Sequence, residues 1–263
     1  MDAAWEAGLT WFDTADAYGG GRSETYIGEW IRSRRPDGLR LTTKTFYRMN
    51  DGEDLGLAPA RVRRQIDTSL QRLGVERVDL YLGHEWDPDV PAAEVVGVFE
   101  ELVAAGKIGA YGVSNVDAAQ LGEALEAGAF SAVQNSYSLL DREQEREILP
   151  LCSERGVWFQ AFSPLAGGWL TGKYRRGEAV PDGSRMTMRP EAYEHFRDDR
   201  IYDALEGLER RGDMATLALA WLIADPRVSV VIGPRNPKQL QPALAALANP
   251  LSPAERDALT ALF

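Results

Sequence analysis

Short apolar runs recur along the whole of this chain, and each one ends on polar residues. Asp13 and Tyr18 follow L-T-W-F, Lys44 follows L-R-L-T-T, and His84 follows V-D-L-Y-L-G. Ser114 and Asn115 follow I-G-A-Y-G-V, Gln134 follows S-A-V, Phe162 and Ser163 follow V-W-F-Q-A, and Gly233, Pro234 and Arg235 follow V-S-V-V-I. After each run comes a helix-like stretch, and that alternation implies an α/β protein with a parallel sheet and helical crossovers. In a (β/α)8 TIM barrel the functional groups sit at the C-terminal ends of the strands and face one mouth. On that reading the polar residues describe a single site.

Composition agrees with one soluble globular domain. The chain has 263 residues, 44% hydrophobic and 26% charged, and a barrel of this kind takes about 250 residues. No apolar run approaches the ~18 residues of a membrane-spanning helix, and the amino terminus lacks the basic and apolar regions of a signal peptide. A cytoplasmic protein is the plain reading. The formal net charge of −11 opposes nucleic-acid and anionic-membrane partners, so any phosphate ligand needs a dedicated pocket with its own cationic groups. The single cysteine, Cys152, precludes an internal disulfide and lies in the helical stretch I-L-P-L-C-S-E-R, where it reads as a structural thiol.

Punctuation marks the helices. Val62, Ile66, Leu70 and Leu73 recur at helical spacing before Gly74, and Val95, Val96, Phe99, Leu102 and Val103 repeat the pattern before Gly106. Asp117 and Asp213 stand as N-caps, and Ser252-Pro253-Ala254-Glu255 reads as a capping box opening a last helix. From Ala166 to about Arg200 the chain is polar and glycine-rich, far longer than the ~2 to 6 residues usual for a strand-to-helix loop, as expected of a segment that covers a ligand. Strands are expected near 9–14, 40–45, 78–84, 108–114, 131–135, 157–163 and 228–233. That is seven strands. Met1 to Ala7 reads as the end of an amphipathic helix stopped by Gly8, with no strand before it. The expectation is a barrel over 1–263 whose first strand is missing, through truncation or a start codon assigned too late.

Four of the strand-end residues form a chemical set. A lysine closing an interior strand needs a counter-charge, and Asp13 at the end of the neighbouring strand supplies one for Lys44. A cation held beside Tyr18 stabilises its phenolate and makes the phenol a usable general acid. A neutral His84 can donate a hydrogen bond to the same substrate oxygen. Such a set is built to protonate a carbonyl oxygen.

These residues, with their surroundings, resemble the aldo-keto reductases. F-D-T-A-D-A-Y-G-G-G-R-S-E at 12–24, L-T-T-K at 41–44 and V-D-L-Y-L-G-H at 78–84 are similar to that family's Asp, Tyr, Lys and His motifs in order. G-V-S-N at 112–115, Q-N-S-Y-S-L-L-D-R at 134–142, A-F-S-P-L-A-G-G at 161–168 and I-G-P-R-N-P-K-Q-L at 232–240 are similar to its cofactor segments. The resemblance implies hydride transfer from NADPH, in preference to NADH, to a small-molecule aldehyde or ketone, without a metal and without a Rossmann domain. It implies that Tyr18 is the proton donor, tuned by Lys44 and Asp13, with His84 orienting the carbonyl. Ser114, Asn115 and Gln134 would bind the nicotinamide carboxamide, and Phe162 would stack on the ring where the family commonly has a tyrosine. Ser163, Leu165 and Gly167 would line the pyrophosphate path. Gly233 would bind the cofactor, and Arg235, with Gln239 nearby, would clamp the 2′-phosphate through its guanidinium. Pro242-Ala243 stand where the family often has Glu-Asn at the adenine, which implies a reduced cofactor affinity or a weaker preference for NADP over NAD. The missing first strand would remove a segment that touches the nicotinamide end.

Three other readings compete. The family also resembles potassium-channel β-subunits, which leaves open a nucleotide-bound, redox-sensing subunit or an inactive truncated form, although nothing here resembles a channel-docking segment. A Schiff-base aldolase on Lys44 requires a neutral lysine, whereas Asp13 should hold it charged. Taken singly, Asp13–Lys44 could be a structural ion pair, Ser114-Asn115 a helix cap, and Arg235 a surface ion-pair partner. Trp86 either walls the substrate pocket or packs, and His195, in E-A-Y-E-H-F-R-D-D, reads as a surface residue. The substrate pocket could also draw on a partner chain in an oligomer.

Overall fold

A computed structural model describes residues 1–49, 52 and 54–263 of the chain. Its elements run α1 (Asp2–Glu6), β1 (Trp11–Asp13), α2 (Arg22–Arg34), β2 (Arg40–Thr45), α3 (Pro59–Leu73), β3 (Val78–Gly83), α4 (Ala92–Ala104), β4 (Ile108–Ser114), α5 (Ala118–Ala127) and β5 (Ala132–Ser136). They continue with α6 (Ile148–Arg155), β6 (Trp158–Phe162), α7 (Arg185–Met188), α8 (Asp199–Glu209), α9 (Met214–Ile223), β7 (Val228–Val230), α10 (Pro237–Ala248) and α11 (Pro253–Thr260). Every expected strand is present, within a few residues at its ends. Two compact units divide the chain, one of residues 1–134 with 151–157, the other of 135–150 with 158–263.

In the first unit β1 to β5 pair in chain order and all in parallel. The helices between them bury the stripes read from the sequence: Val62, Ile66, Leu70 and Leu73 in α3, and Val95, Val96, Phe99 and Leu102 in α4. Val103 departs from that expectation and is 38% exposed, because one residue beyond Leu102 the helix has turned by about 100° and leaves the buried stripe. Gly74 ends α3 at φ 70°, returning its N–H to the Leu70 carbonyl at 2.8 Å, a left-handed cap that glycine adopts without a steric penalty. Asp117 and Gln120 form a reciprocal capping box at the start of α5.

Strand β2 breaks the usual composition of a buried strand, since Thr42, Thr43, Lys44 and Thr45 are all fully buried. Side chains alternate across a sheet, and here both faces are polar but satisfied. Thr42 accepts from Trp11 Nε1 at 2.7 Å and Lys44 meets Asp13. On the alternate positions Thr43 donates to Glu24 at 2.6 Å and Thr45 to Asp16 at 2.6 Å.

In the second unit β6 and β7 pair in parallel. Asp213 caps α9, and Ser252 with Glu255 forms the expected capping box on α11. The long segment after β6 is not bare loop: short helical turns occupy Ala166–Thr171, Arg185–Met188, Pro190–Ala192 and Glu194–Phe196. They wrap an aromatic cluster in which Trp169 lies 5.0 Å from Tyr174 and 5.9 Å from Phe196 between ring centroids. Burial of these rings orders a stretch whose local composition reads as loop. His195 is exposed.

Candidate active site

The ladder of hydrogen bonds in the first unit carries past the strand ends and brings their last residues side by side. Thr14 N–H donates to Thr42 O at 2.9 Å, Asp16 N–H to Lys44 O at 3.0 Å, and His84 N–H to Thr45 O at 3.0 Å. Parallel register therefore sets Asp13, Lys44 and His84 at one end of adjacent strands. Lys44 is fully buried, and its ammonium pairs with the Asp13 carboxylate, which is 15% exposed. A second N–H of Lys44 donates to Thr14 O at 3.0 Å. The nitrogen stands 5.3 Å from the centroid of the Tyr18 ring.

Tyr18 is 43% exposed, on the loop between β1 and α2, so its hydroxyl is open to a ligand. That hydroxyl is 3.5 Å from His84 Nε2, and the two rings meet edge to face at 5.4 Å. Burial, and next the Lys44 charge, pushes the His84 pKa down to about 3, so the imidazole is neutral in ordinary buffers. Its buried Nδ1 has no hydrogen-bond partner. Leaving an acceptor unpaired is less costly than stranding a donor, so the tautomer protonated at Nε2, toward the Tyr18 side, is the one the surroundings favour.

Gln134 Nε2 donates to the other Asp13 oxygen at 2.9 Å, and Ser114 donates to Gln134 O at 2.7 Å. Asn115, at φ 56°, donates to the His84 carbonyl at 2.9 Å. All seven polar residues expected from the first five strands thus form one connected cluster. Trp86 is half-buried and lines a narrow apolar crevice with Leu57, Val90, Phe99 and Phe130.

Two groups were not legible as site residues. Tyr47 packs edge-on against His84 at 4.9 Å, and its hydroxyl donates to Glu85. Behind the loop, buried Arg61 donates to Thr45 Oγ1 at 2.8 Å, Gly56 O at 2.9 Å and Tyr47 O at 2.8 Å. Asp16, buried near it, has its pKa pushed up to about 6 by desolvation, against the Thr45 hydrogen bond and Arg61. An arginine on a helix and an aspartate in a loop carry no mark of this pairing in the sequence.

In the second unit Phe162 is half-buried at the end of β6. Ser163 (φ 53°), Ala166 (φ 46°), Gly167 (φ 62°) and Gly168 (φ 101°) all adopt left-handed backbone, and Leu165 packs on the cluster of Leu219, Ala220, Ala243 and Ala246. Where left-handed residues follow right-handed ones, successive N–H groups turn to one side and form anion-binding concavities. A Cβ at Gly167 would stand 2.5 Å from the Tyr193 ring, so a larger residue here requires that ring to move. Gly233 and Arg235 are exposed just before α10, and Gln239 in its first turn accepts from Arg235 N–H at 2.8 Å. The Arg235 guanidinium has no side-chain partner among the described residues. Buried Cys152 has its thiol pushed up to about 12 by desolvation, which leaves it inert.

The sequence model described as the Aldo/keto reductase family matches residues 1–263. The chain belongs to this family. Among similar proteins, an NADH-specific methylglyoxal reductase of Escherichia coli (strain K12) is 33% identical over 276 residues, covering 96% of this chain and 82% of that protein. An aldo-keto reductase of Schizosaccharomyces pombe named for NADP(+) is 31% identical over 268 residues, covering 95% and 77%. The solved glycerol dehydrogenase of Gluconobacter oxydans superposes with a TM-score of 0.87 at 26% identity, covering 99% of this chain and 83% of that one. As a member of the aldo/keto reductase family the chain has the (β/α)8 barrel class of fold expected from its sequence and is an oxidoreductase that uses a nicotinamide cofactor. Among the described residues no helix is long and apolar enough to cross a membrane.

The donor set fits such a cofactor. Amide and hydroxyl groups at Ser114, Asn115 and Gln134 suit a carboxamide, and Arg235, without a side-chain partner among the described residues on a chain of net charge −11, suits a phosphate.

Proposed function

We propose that this protein reduces an aldehyde or ketone to the alcohol with NADPH, and that Tyr18 is the proton donor. The observation that carries the reading is the Asp13–Lys44 pair beside Tyr18 and a neutral His84. When bound, the reduced nicotinamide supplies hydride to the carbonyl carbon. The chain supplies the rest. Tyr18 gives its hydroxyl proton to the carbonyl oxygen, and the buried Lys44 ammonium stabilises the phenolate left behind. His84 orients the same oxygen through Nε2–H. Asp13 holds Lys44 charged and in place, which also disfavours Schiff-base chemistry at that lysine.

Ser114, Asn115 and Gln134 are assigned to the carboxamide, and Phe162 to stacking on the nicotinamide. Ser163, Leu165 and Gly167 are assigned to the pyrophosphate, and Gly233, Arg235 and Gln239 to the 2′-phosphate end. Trp86 is assigned to the wall of the substrate pocket. Relatives named for NADH and for NADP(+) leave the preference to these residues, and Arg235 supports NADPH.

A fluorescence titration of the purified protein with NADPH and NADH, alongside aldehyde turnover by wild type and Tyr18→Phe, tests the reading. The expected outcome is tight NADPH binding in both proteins and a loss of most turnover in the variant. Undiminished turnover in Tyr18→Phe would count decisively against Tyr18 as the proton donor.

A further inference from the structure

Two tyrosine rings pack edge to face with His84, and only one of them, Tyr18, belongs to the proton-transfer set. The other, Tyr47, is 40% exposed, and its ring centroid is nearer to the imidazole, 4.9 Å against 5.4 Å for Tyr18. Its position is fixed from behind, since Arg61 holds the Tyr47 carbonyl at 2.8 Å while bonding Thr45 and Gly56. The Tyr47 hydroxyl donates to Glu85, the residue that follows His84.

Glu85 is half-buried, and no Lys or Arg forms an ion pair with it among the described residues. Desolvation, opposed only by the Tyr47 hydrogen bond, raises its pKa. A carboxylate in this condition keeps acceptor capacity after satisfying one hydroxyl, because its two oxygens offer about four lone-pair sites. It lies one residue along the chain from the imidazole that orients the carbonyl. A substrate substituent carrying a hydroxyl satisfies it, and a substituent carrying a carboxylate meets like charge in a partly desolvated place.

We infer that Glu85 and Tyr47 form a polar subsite beside His84 that selects carbonyl substrates bearing a neighbouring hydroxyl group and rejects those bearing a carboxylate. The inference rests on the reductase reading above and specifies the substrate class of that site. Glu85 is the acceptor of the substrate hydroxyl. Tyr47 holds Glu85 in place through its hydroxyl. Arg61 is a positioning residue that acts through the Tyr47 backbone.

The test compares kcat/KM for glyceraldehyde against propanal, and for a short aldehyde acid against its methyl ester, in wild type, Glu85→Gln and Tyr47→Phe. Wild type is expected to favour the hydroxylated aldehyde and the ester. Glu85→Gln keeps a group that Tyr47 can bond but removes the charge, so each ratio should fall by roughly tenfold, the value of a charge-assisted hydrogen bond. Tyr47→Phe retains the ring packing and should reduce the first ratio less. A purely structural role would lower the melting temperature and leave both ratios where they were, and that result overturns the inference while sparing the reductase reading. If wild type oxidises no reduced cofactor with any of the four carbonyl compounds, the reductase reading fails and the subsite falls with it.

Discussion

Replacing Lys44 by methionine separates the structural from the chemical role of the buried ion pair. Lys44 is fully buried, bonded to Asp13 and to Thr14 O at 3.0 Å. Removing one partner of a buried pair costs about 3–5 kcal/mol, because a charge is stranded in a poor dielectric. Asp13 retains 15% exposure and the 2.9 Å bond from Gln134, which places Lys44→Met at the lower end, about 3 kcal/mol. At roughly 2–4 °C per kcal/mol for a chain of this size, the melting temperature should fall by about 6–12 °C. Adding Asp13→Asn removes the stranded charge, so the double variant should recover a substantial part of the loss, with a coupling of about 1.5–3 kcal/mol in the cycle. Turnover should not return, because no cation then stands beside Tyr18, and a drop of about a hundredfold or more is expected in both lysine variants. His84 gives an independent readout. Burial is the larger cause of its low pKa and Lys44 the smaller, so in Lys44→Met the imidazole should titrate higher but still below the ordinary histidine range, as followed by NMR. A double variant as unstable as Lys44→Met, or one that regains turnover, would refute the reasoning.

Two further predictions concern packing and the cofactor. A Cβ at Gly28 would lie 2.1 Å from Arg72 O and 2.9 Å from the Leu73 carbonyl carbon, so Gly28→Ala must push α2 off α3 and should cost about 3 kcal/mol by chemical denaturation; a neutral result would show that the two helices part freely. Arg235→Ala should weaken NADPH binding roughly tenfold while leaving NADH nearly unchanged, and equal losses for both cofactors would remove Arg235 from the 2′-phosphate.

Much of this protein was written locally. The strand runs, the α3 stripe ending on Gly74 and the caps at Asp117, Asp213 and Ser252 depend on periodicity and on side-chain-to-backbone bonds within a few residues. Asp13, Lys44 and His84 were legible for a related reason: each stands at or beside the C-terminal end of a strand, and parallel strands bring their ends together whatever lies between. Tertiary structure alone decided what surrounds them. The polar run T-T-K-T in β2 is fully buried because Glu24, Asp16 and Asp13 arrive from other elements to satisfy it. Tyr47 and Glu85 are 38 positions apart and sit in segments with no period, so only the register of β2 on β3 and the Arg61 clamp join them beside His84. A local pattern specifies an element because its partners are a few residues away. A polar site assembled from loop residues becomes visible only when the sheet has set its register.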